Sequence, residues 1–332
     1  MSSAGSDATP PQNQTPKVSV IIPAYKTAAF IAETLNSVFA QTFRDFEVIV
    51  INDGSPDTAE LEVALKPYMD RIRYIKQENK GLPGARNAAI HLARGELLAF
   101  VDSDDLWMPE YLSAQVQFLD THPQVYASIS DALLFGSGGD VVWRMLKEGA
   151  GPVLGFEDML KRKGGQLPSA MVARRQRVVD IGLFDERIKI GEDVEFCVRL
   201  VFPEGAVGYL GRVLVKYRQR PGSLTEDPQR RKWKVAEIES LRRVGENLKL
   251  NESQRKLLEE EIAAAVAALA LGDAYHHISL REYGAAVQCF RSANAYYRDR
   301  RIRIAAFFLH ALPWLAGPVL NRRLQQRPVR KI

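Results

Sequence analysis

Asp102, Asp104 and Asp105 crowd the end of an apolar run in the stretch LLAFVDSDDLWMPEYL, residues 97–112. Like charges this close resist joint ionisation. They need a neutralising partner, or they must splay into water. Taken alone, such a stretch also suits a strand-ending turn and a helix N-cap ahead of Pro109. A second acidic turn at Asp53 tips the reading toward chemistry. A hard divalent cation resolves the repulsion, because Mg2+ or Mn2+ takes one or two carboxylates and fills its shell with phosphate oxygens and water. The expected chemistry is a metal-held diphosphate.

Such a site needs elements that bring distant turns together. VSVIIPA (18–24) is short, apolar and β-branched, as a buried parallel strand is. TAAFIAETLNSVFAQ follows, with Phe30, Ile31, Leu35 and Val38 at helical spacing and Thr27 as the expected N-cap. FEVIVIND (46–53), IRYIKQ (72–77) and LLAFVDS (97–103) repeat the strand pattern, with helical runs TAELEVALKPY and LPGARNAAIHLA between them. Alternation of this kind predicts βαβ units, a mostly parallel sheet and an α/β fold. Ligands in such sheets bind beyond the carboxyl ends of the strands. Every polar cluster falls there: Pro23, Ala24 and Tyr25; Asn52, Asp53, Gly54 and Ser55; Asn79, Lys80 and Gly81; and Asp102 to Asp105.

The 332 residues carry a net charge of +5, with 46% hydrophobic and 26% charged residues, ordinary values for a soluble globular chain. Cys197 and Cys289 show no CxxC spacing, which predicts a reducing compartment and no disulfide frame. Residues 1–16 are polar and rich in Ser, Pro and Gln, and are expected to be a disordered tail rather than a signal peptide. No run reaches the ~20 apolar residues of a spanning helix. Residues 17–220 read as one catalytic domain. After residue 117 its alternation fades into further strands (VYASISDALLF, SAMVARR, AVGYL and RVLVKYR) and a helix beginning near Glu192. Residues 227–332 read as a helical extension.

In this order, VSVIIPAY, VIVINDGSPD, NKGLPGARNAAI, LLAFVDSDDLWMPEYL and GLFDERIKIGEDVEFCVRL resemble the motifs of the family 2 glycosyltransferases, which have the GT-A fold. One departure is Asn52, where that family more often has an acid. The resemblance implies a Rossmann-like sheet flanked by helices and a metal-dependent enzyme using a nucleotide sugar, with UDP the expected nucleotide. Pro23, Ala24 and Tyr25 would line the base, with Glu33 nearby. Asp53 would accept a hydrogen bond from it, and Arg86 would reach the base or the phosphates. Asp102, Ser103 and Asp104 form the DxD element, with Asp102 and Asp104 contacting the ribose or a Mn2+ or Mg2+ ion and Asp105 a further candidate ligand of that ion. Asp193 would be the general base and Glu192 its neighbour in the acceptor site. One base opposite a metal-bound leaving group implies inversion at the anomeric carbon. Arg218, Arg220 or Ser223 in YRQRPGSLT could close over the diphosphate.

The extension holds ALGDAYHHISLREYGAAVQCFRSANAY, which looks like a single tetratricopeptide-type hairpin. One repeat cannot bury a solenoid core, so it is expected to dock on the catalytic domain or a partner. Beyond it, arginines flank a Pro-interrupted apolar run at 305–320, a pattern suited to an anionic membrane surface. The expected partners are a nucleotide-sugar donor and a saccharide or lipid-linked acceptor, with no nucleic acid. The expected location is cytoplasmic, with peripheral contact on the inner face of the cell membrane. Two rival functions are a sugar-nucleotide nucleotidyltransferase and a catalytically inactive carbohydrate-binding protein. The first wants a Gly- and Arg-rich loop where this chain has PAYKTAAF. The intact acidic set argues against the second.

Overall fold

The computed structural model describes residues 15–136, 139–220 and 231–325, with side chains to Leu320 in the last helix. Most of the expected tail at 1–16, and Ser223, lie outside the described residues. The chain divides into two units. One comprises Met1–Glu186 and Leu200–Gln219, the other Arg187–Arg199 and Arg220–Ile332.

The first unit is an α/β fold built on one sheet. Its elements are β1 (Val18–Ala24), α1 (Ile31–Phe39), β2 (Phe46–Asp53), α2 (Thr58–Leu65), β3 (Arg73–Gln77), α3 (Gly81–Leu92), β4 (Leu97–Phe100), β5 (Leu106–Trp107) and α4 (Tyr111–Thr121). Then come β6 (Ala127–Gly136), β7 (Val141–Trp143), β8 (Val153–Leu154), α5 (Phe156–Leu160), β9 (Met171–Arg174) and α6 (Arg175–Asp180). The helix α7 (Glu192–Val201) crosses the division between units, and β10 (Val207–Gln219) completes the sheet.

The strand order is β3-β2-β1-β4-β9-β6-β10-β5, with β7 on β6 and β8 on β10. The first four strands are all parallel, Val18 facing both Phe46 and Leu97. Their carboxyl ends therefore share one rim, with Ala24 beside Asn52 and Asp53 beside Gln77. β9 enters antiparallel between β4 and β6. Every residue of β1 is buried, as a strand covered on both faces requires.

Two local expectations change. Thr27 does not cap α1 with its side chain: the helix starts at Ile31, the Thr27 carbonyl accepts from the Phe30 and Ile31 N–H groups, and its hydroxyl turns to Ser103. AVGYL and RVLVKYR are not separate strands but one, β10, with register breaks between Tyr209 and Val215. Gly211 within that irregularity has φ +67°, which a residue without Cβ adopts at little cost.

The second unit adds α8 (Arg231–Asn247), α9 (Glu252–Ser279), α10 (Tyr283–Tyr297), α11 (Arg300–Ala311) and α12 (Pro313–Gln325). Asn251 opens α9 with a capping box to Gln254, satisfying two otherwise orphaned donors. α9 and α10 form the expected hairpin, with the Tyr275 and Phe290 rings edge to face at 5.5 Å. Ala306 and Leu309 of α11 join Ala274, Ile278, Ala286, Val287 and Phe290 in one core. Where cover by the catalytic domain or a partner is the expectation, α11 of the extension itself packs into the hairpin core. No described helix is long and apolar enough to cross a membrane.

Candidate active site

The rim of the first unit is tied together by polar contacts between loops. After β1, the Lys26 N–H donates to Ser55 Oγ at 2.7 Å and the Ala28 N–H to Asp57 Oδ2 at 3.0 Å. Thr27 and Ser103 share a buried hydroxyl contact at 2.8 Å, joining the β1 loop to the aspartate turn. Gly54 (φ +61°) makes the turn after β2, and a Cβ there would stand 2.8 Å from the Asn79 nitrogen.

Asp53 is buried at the end of β2. Its Oδ1 accepts from Gln77 Nε2 at 2.7 Å and the Lys80 N–H at 2.9 Å, and its Oδ2 from the Gly81 N–H at 2.9 Å. One carboxylate thus sets the entry to α3. Asn52 makes a different turn contact. Its Nδ2 donates to Thr58 Oγ1 and the Tyr74 hydroxyl, both at 2.9 Å, while its Oδ1 accepts the Ser55 N–H. A carboxylate could not donate, which explains an amide at this position.

The three aspartates after β4 do not share one environment. Asp102 Oδ1 lies 2.8 Å from Arg86 Nη2. Arg86 is 1% exposed, buried rather than on a solvated helix face, with its guanidinium 5.4 Å from the Phe184 ring centroid. Asp105 points inward at 1% exposure and accepts the Arg218 N–H at 2.9 Å. Burial, then the charges of Asp102 and Asp104, push its carboxyl well above the ordinary range. The Ser169 hydroxyl and the Arg218 N–H pull the other way without cancelling this. Asp104 is only partly buried.

Asp102, Asp104 and Asp105 thus meet three different surroundings. Among the described residues, no three His, Cys, Asp or Glu side chains gather as a ligand group. Arg86 neutralises Asp102, and burial turns Asp105 inward. The donor chemistry still fits a hard cation held by Asp104 and a diphosphate, since Mg2+ is commonly bound through one or two carboxylates plus phosphates.

Pro23 and Ala24 are buried in β1, and Tyr25 beyond them is 43% exposed on the rim. Glu33 pairs with Arg218 at 2.8 Å, while Arg218 Nε donates to the Asp104 carbonyl. Arg218 thereby clamps the aspartate turn from the end of β10. Trp107 stacks on Tyr111 at 4.2 Å and donates to the Ser169 carbonyl, so it is a core residue.

Several contributors were not legible locally. Ser169 accepts the Asp102 N–H at 3.0 Å from 67 residues away, and Gln77 reaches Asp53 across a strand pair. Only the strand pattern around SAMVARR hinted at the first.

Glu192 and Asp193 open α7 in the second unit. The preceding Gly191 has φ +78°, and its carbonyl accepts from Ser240 Oγ of α8 at 2.8 Å. Glu195 is buried against Arg199 at 2.6 Å and accepts from Asn247 at 2.8 Å. Asp193 Oδ1 accepts the Val194 N–H at 2.9 Å.

A parallel half-sheet with an acidic rim, followed by antiparallel insertions, is the GT-A architecture. Residues 19–165 match the model of glycosyl transferase family 2. An uncharacterized glycosyltransferase of Rickettsia bellii is 40% identical over 105 residues, covering 32% of this chain and 15% of that protein. The uncharacterized glycosyltransferase EpsJ of Bacillus subtilis is 33% identical over 231 residues, covering 64% of each. The chain thus spans less than two thirds of these relatives. Among solved structures, S. aureus TarS 1-349 in complex with UDP-GlcNAc superposes with a TM-score of 0.59 at 21% identity, covering 95% of this chain and 93% of that one. The mannosyltransferase PcManGT from Pyrobaculum calidifontis, in complex with GDP-Man and Mn2+, gives 0.56 at 17%, covering 95% and 89%.

Proposed function

We propose that this chain transfers a sugar from a nucleotide sugar, with UDP as the nucleotide, to a hydroxyl of a saccharide or lipid-linked acceptor. The observation that carries this reading is the rim on which β1, β2 and β4 bring Tyr25, Asp53 and the Asp102–Asp104 pair together. The neighbour solved with UDP-GlcNAc supports the choice of nucleotide.

Asp53 already accepts three N–H groups. A carboxylate offers about four lone-pair positions, which leaves one for the imide N–H of a uracil. The Gln77, Lys80 and Gly81 donors hold that carboxylate in place. Pro23 and Ala24 form the floor and Tyr25 the edge of the base site. Arg86 keeps a negative Asp102 beneath the ribose, and Ser103 braces the turn through Thr27.

Asp104 would hold Mn2+ or Mg2+, which when bound supplies charge opposite the leaving diphosphate. Asp193 takes the proton of the acceptor hydroxyl, a poor nucleophile until that proton is removed, with Glu192 beside it in the acceptor site. Attack by a base-activated hydroxyl in a single displacement inverts the anomeric carbon.

The test is a thermal-shift panel of UDP, GDP and ADP with and without Mn2+. Ligands that bind the native state raise Tm by mass action. UDP with Mn2+ should give the largest shift. The absence of a shift with every nucleotide would remove the donor assignment.

A further inference from the structure

The helices α11 and α12 present two faces. Ala306 and Leu309 face the core of the helical unit, joined by Ile302, Ala305, Ala316 and Leu320. A Cβ on Gly317 would stand 2.4 Å from the Tyr283 ring, so α12 seats directly on α10. The opposite face carries Ile304, Phe307, Phe308, Trp314, Leu315 and Val319, with Phe307 64% and Trp314 70% exposed. Aromatic side chains present about 150–250 Å2 each. The combined patch therefore reaches several hundred Å2, the size that marks an interaction surface.

The sequence of this segment is one-sided in charge from Arg300 onward. Residues 300–332 contain eight Arg or Lys and no Asp or Glu. The whole chain nets +5, so the other residues net −3, the difference between +5 and +8. Arg300, Arg301 and Arg303 are exposed in the first turn of α11. A helix N-terminus disfavours cations, so helix stability does not account for them there.

We propose that this face is a peripheral docking surface for an anionic lipid bilayer. α11 and α12 would lie in the headgroup region, aromatic face down, with the arginines at the phosphate level. An apolar face with a basic margin and no spanning length is the pattern of an interfacial helix pair. A nucleic acid would match the arginines but leave Phe307, Leu315 and Val319 in water. A second copy seated face to face would set Arg300, Arg301 and Arg303 against a like basic margin. Such a surface goes beyond the transfer reaction and stands independently of it.

The experiment is co-sedimentation of the full chain with vesicles of phosphatidylcholine alone or with phosphatidylglycerol, from low to high salt, with sedimentation velocity of the lipid-free chain beside it. Two variants are compared: Phe307→Ser with Phe308→Ser and Trp314→Ser, and Arg300→Glu with Arg301→Glu and Arg303→Glu. All six positions are exposed, and circular dichroism checks that the fold persists. The full chain should bind phosphatidylglycerol vesicles and largely ignore neutral ones. Each variant should bind far more weakly, the charge reversal by at least about 10²-fold, from about 1 kcal/mol for each basic residue. No binding to anionic vesicles at low salt would overturn the proposal. So would equal binding of the charge-reversed chain. A lipid-free dimer abolished by the serine variant, with no vesicle binding, would assign the face to a second copy instead.

Discussion

Arg86 Nη2 meets Asp102 Oδ1 at 2.8 Å, joining the helix after β3 to the turn after β4 with the guanidinium almost wholly buried. The cation that the crowded aspartates require is thus partly supplied by the protein itself. Arg86→Ala strands a carboxylate beside a buried cavity and should cost about 3 kcal/mol. The double variant Arg86→Ala with Asp102→Asn should cost less than the sum by at least about 1 kcal/mol. Urea unfolding of the four proteins measures both quantities, and strict additivity would mean that the pair is not coupled.

Asp105 should make stability depend on pH with an unusual sign. Its native carboxyl is raised well above the ordinary range, by burial first and then by Asp102 and Asp104. The native state therefore holds this proton more tightly than the unfolded chain, whose aspartate titrates near ~3.9. Stability from this group is fully present below that value and is lost as pH rises through the raised native one. Asp105→Asn keeps an oxygen for the Arg218 N–H and removes the charge. In chelator, its Tm should exceed that of the parent most at pH 8, with the gap closing toward pH 4.

Asn52 should not tolerate the acid more usual in its family. Asn52→Asp removes the donor to Thr58 and Tyr74 and should cost about 1–3 kcal/mol. Chemical denaturation is the direct measure, and an unchanged midpoint would show that the amide donates nothing of value.

Asp104 and Asp193 separate binding from chemistry. With Asp104→Asn, calorimetry should find that adding Mn2+ no longer strengthens UDP binding, while binding in chelator stays as in the parent.

With Asp193→Asn, donor binding should be retained and turnover should fall by at least ~10²-fold, the scale of general-base loss. Turnover at the parent level would move the base elsewhere, with Glu192 the next residue to substitute.

The division between local and tertiary information is visible at particular residues. VSVIIPA and FEVIVIND became β1 and β2 at the expected bounds, because a continuous β-branched run ended by turn residues carries its own strand signal. The placement of polar clusters on one rim followed from the parallel alternation alone. The fates of Asp102, Asp104 and Asp105 did not. Three carboxylates adjacent in the chain are sent to a buried arginine, to the partly exposed rim and to the interior. That sorting depends on α3 bringing Arg86 under the turn and on β10 ending beside it with Arg218. Thr27 likewise suited a helix cap by local rule, but the pairing of β1 with β4 brought Ser103 within reach from 76 residues away. Periodicity and turn chemistry act over a few residues, so the sequence by itself determined the strands, the rim and the family. Neutralisation and burial act through space, so only the tertiary structure decided which surroundings each aspartate meets.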